Sequence, residues 1–186
     1  NRKPEAKALL QSCGDTPDFA PFYTFRAQLT AEDPQSLDDW KKARTLDPSW
    51  RYQKLLTEYY IKKNNNAEAL ATIEPFYLAH PDRNSMGILY AKTLLLNNQL
   101  EKADRLLTQL NVLPAEGATS ARELYREVKC REARECINRK NYKKAKALIA
   151  QAKLYPDNLG SGAPYPADQD TREEDALTKL LPAQSQ

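Results

Sequence analysis

NYKKAKALIAQAKLYPD, residues 141 to 157, decides the fold class. Ala145, Leu148, Ile149 and Ala152 recur at three and four residues and so share one helical face, while Lys143, Lys144, Lys146 and Lys153 stay largely on the other. Asn141-Tyr142 precedes the helix and Tyr155-Pro156-Asp157 ends it. Small alanines let a neighbouring helix approach closely, and branched Leu148 and Ile149 fill the space between them. The design returns upstream at Ala69, Ile73 and Phe76, and at Ala103, Leu106, Leu107 and Leu110. Each such face is buried only against a neighbour, so the chain reads as a stack of helix pairs.

The prolines give the register. Pro17, Pro48, Pro81, Pro114 and Pro156 close successive helices at intervals of 31, 33, 33 and 42 residues. The first three intervals are a period, and the fourth is the same unit with an insertion. The expected organisation is a half repeat over 3–17 and helix pairs over 18–48, 50–81, 84–114 and 119–156. A turn-rich segment and a short capping helix follow over 158–186, with 182–186 frayed. Ala20 to Leu29, carrying Phe22, Tyr23, Phe25 and Ala27, is a first helix, and so are Trp50 to Lys62 and Met86 to Leu96. Asp33 is placed to cap and Pro34 to open the helix of Leu37, Trp40, Ala43 and Leu46. Trp40 has the spacing of a core residue, with ligand stacking as the alternative. A second helix is expected over Leu100 to Leu113.

The insertion falls between Ala115 and Arg126, where residues 116–120 read as a loop. A helix from Ala121 to Arg139 would be about two turns longer than its neighbours, and its end either projects as a contact surface or packs against the tail. The opening half repeat, with Ala6, Leu9, Leu10 and Cys13, is expected to leave an apolar flank exposed.

Composition removes several function classes. A hydrophobic fraction of 41% with a mean hydropathy of -0.75 suits a chain with much solvent-facing side chain. No run approaches the roughly 20 apolar residues of a membrane span, and five glycines are few for an α/β enzyme. Cys13, Cys130 and Cys136 are too few for a disulfide scaffold and read as buried small residues. His80, the single histidine, stands at a helix end. The chain has no phosphate loop, dinucleotide fingerprint, zinc-protease motif or calcium loop, and adjacent acids such as Asp38-Asp39 and Glu173-Glu174 read as solvent-facing charge. No cofactor and no metal is expected. The chain begins at Asn1 and its one methionine is Met86, so it reads as a processed form or an excised piece. Its compartment stays open between cytoplasm, which is favoured, and periplasm.

Charge is uneven along the chain. Residues 126–146 hold nine basic side chains against Glu127, Glu132 and Glu135, and six acids follow from Asp157 onwards. The acidic tail is expected to lie over the basic last pair, with Asp170, Glu173 and Glu174 near its cations and Leu177 and Leu180 on its apolar edge. Nucleic-acid binding through 126–146 is the alternative use of those cations.

Ala-x-x-x-large-x-x-Ala-x-x-x-Pro, carried by Ala145, Ile149, Ala152 and Pro156 at a period near 34 residues, resembles the tetratricopeptide repeat over nearly all of 3–157. Tyr90, Ala91 and Leu94 fit the first-helix pattern of that family. Ala133 and Cys136 fit it too but Glu132 does not, and the usual early tryptophan is absent at Gln53, Gly87 and Lys129. The resemblance implies an all-α right-handed superhelix whose first helices line a groove that receives an extended or helical peptide. The groove positions would be Arg51, Lys54, Glu58 and Lys62, then Ile88 and Lys92, then Arg134 and Asn138. Members that clamp a terminal carboxylate use asparagine where this chain has Glu58 and Lys92, so an acidic or amphipathic peptide, or another domain of the same polypeptide, fits better. The end of the chain, with Asn158-Leu159-Gly160, Gly162 and Pro164-Tyr165, resembles the close of large Bacteroidetes proteins whose repeats follow a β-rich, sugar-binding or mutarotase-like domain. The expected role is a non-catalytic interaction scaffold. An accessory domain of a carbohydrate-related bacterial protein is the alternative which that second resemblance implies.

Overall fold

The computed structural model describes residues 2–13, 16–31, 33–114 and 117–182, and within them the chain is all-α, with no strand. It forms two compact units, 1–76 and 77–186. The expected loop residue Glu116 and the frayed residues 183–186 lie outside the described residues.

The first unit contains α1 (Lys3–Ser12), α2 (Ala20–Leu29), α3 (Gln35–Leu46) and α4 (Trp50–Lys62), and the division between units falls inside α5 (Asn66–Ala79). Consecutive helices from α1 to α4 pack on one another. Ala27 and Ala43 are fully buried at the contacts, and Tyr23, Trp40, Tyr52, Leu56 and Tyr60 fill the space that these alanines leave. Phe25, expected on the buried face of α2, is instead 62% exposed; Thr24 takes a buried place. Asp33 does not cap α3, which has no side-chain cap; its carboxylate pairs with Lys7 at 3.0 Å.

Asp39 also departs from the sequence reading. It is buried, and Arg26 donates to both its oxygens at 2.8 and 2.6 Å while lying over the Phe22 and Tyr23 rings. The Asp39 hydrogen bonds raise the Arg26 pKa against the opposing effect of burial. Pro75 lies inside α5, where it removes one helical hydrogen bond and disturbs the preceding turn. The Gln53 side-chain amide donates to the Thr72 carbonyl in that turn.

The second unit contains α6 (Asn84–Leu96), α7 (Leu100–Gln109), α8 (Ala118–Asn138), α9 (Tyr142–Ala152) and α10 (Arg172–Thr178). Within it α6 packs on α7, α7 on α8, and α8 on α9. The sequence stretch that decides the fold behaves as expected: Asn141 accepts the Lys144 N–H at the start of α9, and Ala145, Leu148, Ile149 and Ala152 are buried.

The turns that join first to second helices show the repeat in the backbone itself. Asn64, Asn98 and Lys140 have φ of 56°, 57° and 59°. After each, the next N–H reaches back to close the same loop: Asn65 to Tyr60, Gln99 to Leu94 and Asn141 to Cys136, at 2.9, 2.9 and 2.8 Å. This is a left-handed helix stop of the Schellman type, where asparagine and glycine are the least strained residues.

The insertion lengthens α8 to 21 residues, against 13 in α6. Its extra turns do not project. Ala118 and Ala121 are buried, and Arg122 donates to the Ala152 carbonyl at 2.9 Å and lies 4.2 Å over the Tyr155 ring. Helix α7 stops at Gln109, four residues before the expected Leu113, because the tail captures the chain that follows. The Asn158 amide donates to the Leu107 and Leu110 carbonyls at the end of α7, and the Val112 N–H donates to the Asn158 carbonyl. Gly160, at φ 67°, passes so close to the Val112 carbonyl that a side chain would collide with it. The segment after Asp157 is thus a packed joint with short 3-10 turns at Asp157–Leu159 and Pro166–Asp168.

Helix α10 packs on α8 and α9. Leu177 and Leu181 join Cys130, Ala133, Leu148 and Ile149 in one cluster, whereas Leu180, expected there, is 59% exposed. Three residues C-terminal of Leu177 the chain has left the helix, and Leu181 turns inward in its place. Glu174 is 1% exposed and accepts both bonds from Arg126 at 2.6 Å. Burial is the largest single influence and opposes its charged form, but the Arg126 hydrogen bonds, a backbone hydrogen bond and the Arg126 and Arg122 charges together hold its pKa below the ordinary value. Glu173 meets Arg134 at 3.5 Å and Asp175 meets Lys153 at 2.8 Å. Asp170 pairs with its neighbour Arg172 rather than with the last helix pair.

Candidate functional site

Two side-chain surfaces stand out, one in each unit. In the first unit a cleft of about 260 Å³ opens between α2 and α4. Ala27, Gln28 and Ala31 form one wall, Leu55, Glu58 and Tyr59 the other, Trp40 lies between them, and Lys62 and Lys63 stand at one end. The alanines make the cleft, because small side chains on α2 leave room beside Leu55 and Tyr59 on that side. Those rings lie 6.3 Å apart, and the Ser36 hydroxyl donates to the Tyr59 hydroxyl at 3.2 Å. Trp40 is 7% exposed, and among the described residues its Nε1–H has no acceptor. Phe25 precedes Gln28 by three residues, so it shares the helical face that borders the cleft.

Of the groove positions inferred from sequence, Glu58 and Lys62 line this cleft. Lys54 stands one turn earlier on α4, 3.8 Å from Glu58, and Arg51 is exposed at the start of the same helix. Trp40 and Tyr59, whose spacing reads as core, take part in both core and cleft. Gln28 and Ala31 carried no signal in the sequence, since a small or polar residue on a first helix says nothing about what it stands beside.

In the second unit the expected positions are dispersed. Ile88 is half-buried, with its Cδ1 3.3 Å from where a side chain at Gly117 would begin, and Lys92 and Asn138 are exposed. Arg134 joins Arg126, Arg131, Glu123, Glu127 and Glu173 around a space of about 410 Å³. The cations there are matched: Arg126 by Glu174, Arg131 by Glu127 at 2.5 Å and Arg134 by Glu173. Lys129 is buried against Asp104 at 2.7 Å. Glu132 is half-buried beside it, and burial followed by the Asp104 charge raises its pKa.

Cys130 is buried among apolar side chains, and burial pushes its thiol up to about 12, the opposite of an activated nucleophile. Cys136 packs against the same cluster, while Cys13 is exposed and not the buried residue expected. His80 is exposed at the end of α5. Among the described residues no group of three histidines, cysteines or acids is placed to hold a metal ion, and no helix is long and apolar enough to cross a membrane. No family model and no curated protein matches the chain.

Proposed function

We propose that the chain is a non-catalytic protein-interaction scaffold of the tetratricopeptide kind, and that it receives a peptide or partner domain on the first-helix surface of α2 and α4. The observation that carries this reading is the cleft between those helices, where Leu55, Tyr59 and Trp40 form an apolar floor beside charged Glu58 and Lys62. An apolar centre with a charged rim is the ordinary anatomy of a protein contact. Nucleic-acid binding through 126–146 is the weaker reading, because the tail acids and Glu127 already occupy Arg126, Arg131 and Arg134. A polyanion would have to displace them.

Crosslinking mass spectrometry on the full-length gene product tests the reading, as it separates an attached domain from an independent partner. Crosslinks from Lys54, Lys62 and Lys63 to another protein or domain are expected, and charge reversal at Lys54 and Lys62 should reduce those that remain possible from Lys63. Crosslinks restricted to second helices, unaffected by that reversal, would reject the assignment. RNA affinity falling steeply with salt would favour the nucleic-acid reading.

A further inference from the structure

Independently of the first-helix cleft, we infer a second docking surface on the second helices α3 and α5: a groove that takes an extended peptide segment of a partner protein, with an acidic side chain on Arg44 and an apolar one against Pro48 and Pro75. The groove measures about 480 Å³ and lies wholly within the first unit. Arg44 and Pro48 belong to one wall, and Ala71, Thr72 and Pro75 to the other. Charge is the first reason. Arg44 is half-buried and is the charged residue of the lining among the described residues. No described carboxylate lies within ion-pair distance of it. Its charge reaches the Tyr60 phenol, but burial above all raises the Tyr60 pKa, so that group is neutral near pH 7 and cancels nothing. Arg26 and Arg126 in comparably covered places each clasp a carboxylate through two bonds. A guanidinium favours that geometry, and here the carboxylate is left for a ligand to bring.

The second reason is main-chain. Pro75 has no N–H to give the Ala71 carbonyl one turn back. Residues four apart share a helical face, and Ala71 and Pro75 are both exposed and both line the groove. An N–H of the incoming segment supplies the donor that Pro75 withholds. The Thr72 hydroxyl, which bonds no other described group, is a further polar partner in the same wall. A small molecule is the poorer occupant although the volume is within the roughly 300–1,000 Å³ of such sites, because Pro48, Ala71 and Pro75 are exposed and the walls cover only one side of a ligand. A nucleic acid is poorer still, since one cation does not neutralise a run of phosphates.

Selection from a displayed library of random dodecapeptides, with the full chain as bait, tests this chemistry. Enriched peptides should carry Asp or Glu beside Pro, Leu or Phe. Ala71 is exposed, so Ala71→Tyr fills the groove with little burden on the fold. It should weaken a selected peptide roughly thirty-fold or more, as loss of an interface anchor does. Arg44→Glu should weaken it roughly tenfold or more and reduce its salt dependence, whereas Lys143→Glu, at an exposed cation of α9, should change neither. On saturation the Arg44 Nε–H resonance, identified by its absence in Arg44→Lys, should move downfield. Four results would overturn the proposal: no enrichment, selected peptides that bind the Ala71→Tyr and Arg44→Glu chains unchanged, a short single-stranded RNA that displaces them, or a dimerisation of the chain that Ala71→Tyr abolishes, which would give the groove to a second copy. None of these bears on the first-helix reading, which stands or falls with the crosslinking experiment.

Discussion

Helix α1 has ten residues and buries none of them; Leu9 is 71% exposed, and among the described residues its long-range ion pair is the half-exposed Lys7–Asp33 contact. Helix α10 has seven residues and buries Glu174 and Leu177, with Leu181 immediately after it. Neither length would be stable as an isolated helix in water, since nucleation costs more than a few turns return. What fixes a terminal helix is the surface it removes from water and the charges it neutralises there. By that measure the shorter helix is the better anchored.

The sharpest way to break the comparison is to remove each helix. Truncation after Asp170 should lower unfolding stability by roughly 3 to 6 kcal/mol, because two buried leucines contribute about 1.5 to 3 each. Urea denaturation should show this loss equally in low and high salt, and unchanged stability would disprove the anchoring role of α10.

Glu174→Ala leaves Arg126 without its bidentate partner and should cost about 3 to 5 kcal/mol, the range for breaking a buried pair. Arg126→Met combined with Glu174→Leu should recover most of that loss, which separates uncompensated charge from lost packing. The same carboxylate sets an acid limit. Its folded pKa lies below the ordinary 4.5, so its contribution is complete above pH 4.5 and disappears as pH falls through the lower folded value. Proteolysis within 161–171 should rise across that acid window, and Glu174→Gln should flatten the rise.

Leu177 and Leu180 sharpen the contrast within α10 and its end. Leu177→Ala should cost about 2 to 3 kcal/mol by leaving a cavity under α10, and thermal unfolding will report it. Leu180→Ala should stay within about 0.5 kcal/mol, the usual range for an exposed position. Smallest of all, Leu9→Ser in α1 should be neutral within about 0.5 kcal/mol and should reduce self-association if the exposed leucine is sticky. A destabilisation near that of Leu177→Ala would show that α1 is anchored after all.

Much of the fold was legible in the chain. α2 and α4 have the expected bounds, and the alanines at 69, 103, 145 and 152 are fully buried. The long α8 was also readable, as was the attraction between the acidic tail and the basic last pair. The individual partners were not. Asp38-Asp39 and Glu173-Glu174 look alike as adjacent acids, yet Asp39 and Glu174 are buried under arginines while Asp38 is exposed and Glu173 only grazes Arg134. The cleft was half legible: Glu58 and Lys62 came from groove positions, whereas Gln28, Ala31 and the unpaired Trp40 indole came only from coordinates.

Helical class, repeat register and buried alanines were determined by the sequence alone, because a period of 3.6 residues and a proline stop act between near neighbours. Tertiary structure alone decided that Asn158 ends α7, that Arg126 selects Glu174 from 48 residues away, and that α2 and α4 leave a cleft above Trp40. Those outcomes depend on which surfaces meet once the helices have packed, and a charge or an amide has the same local pattern in sequence whether water or a distant side chain will satisfy it.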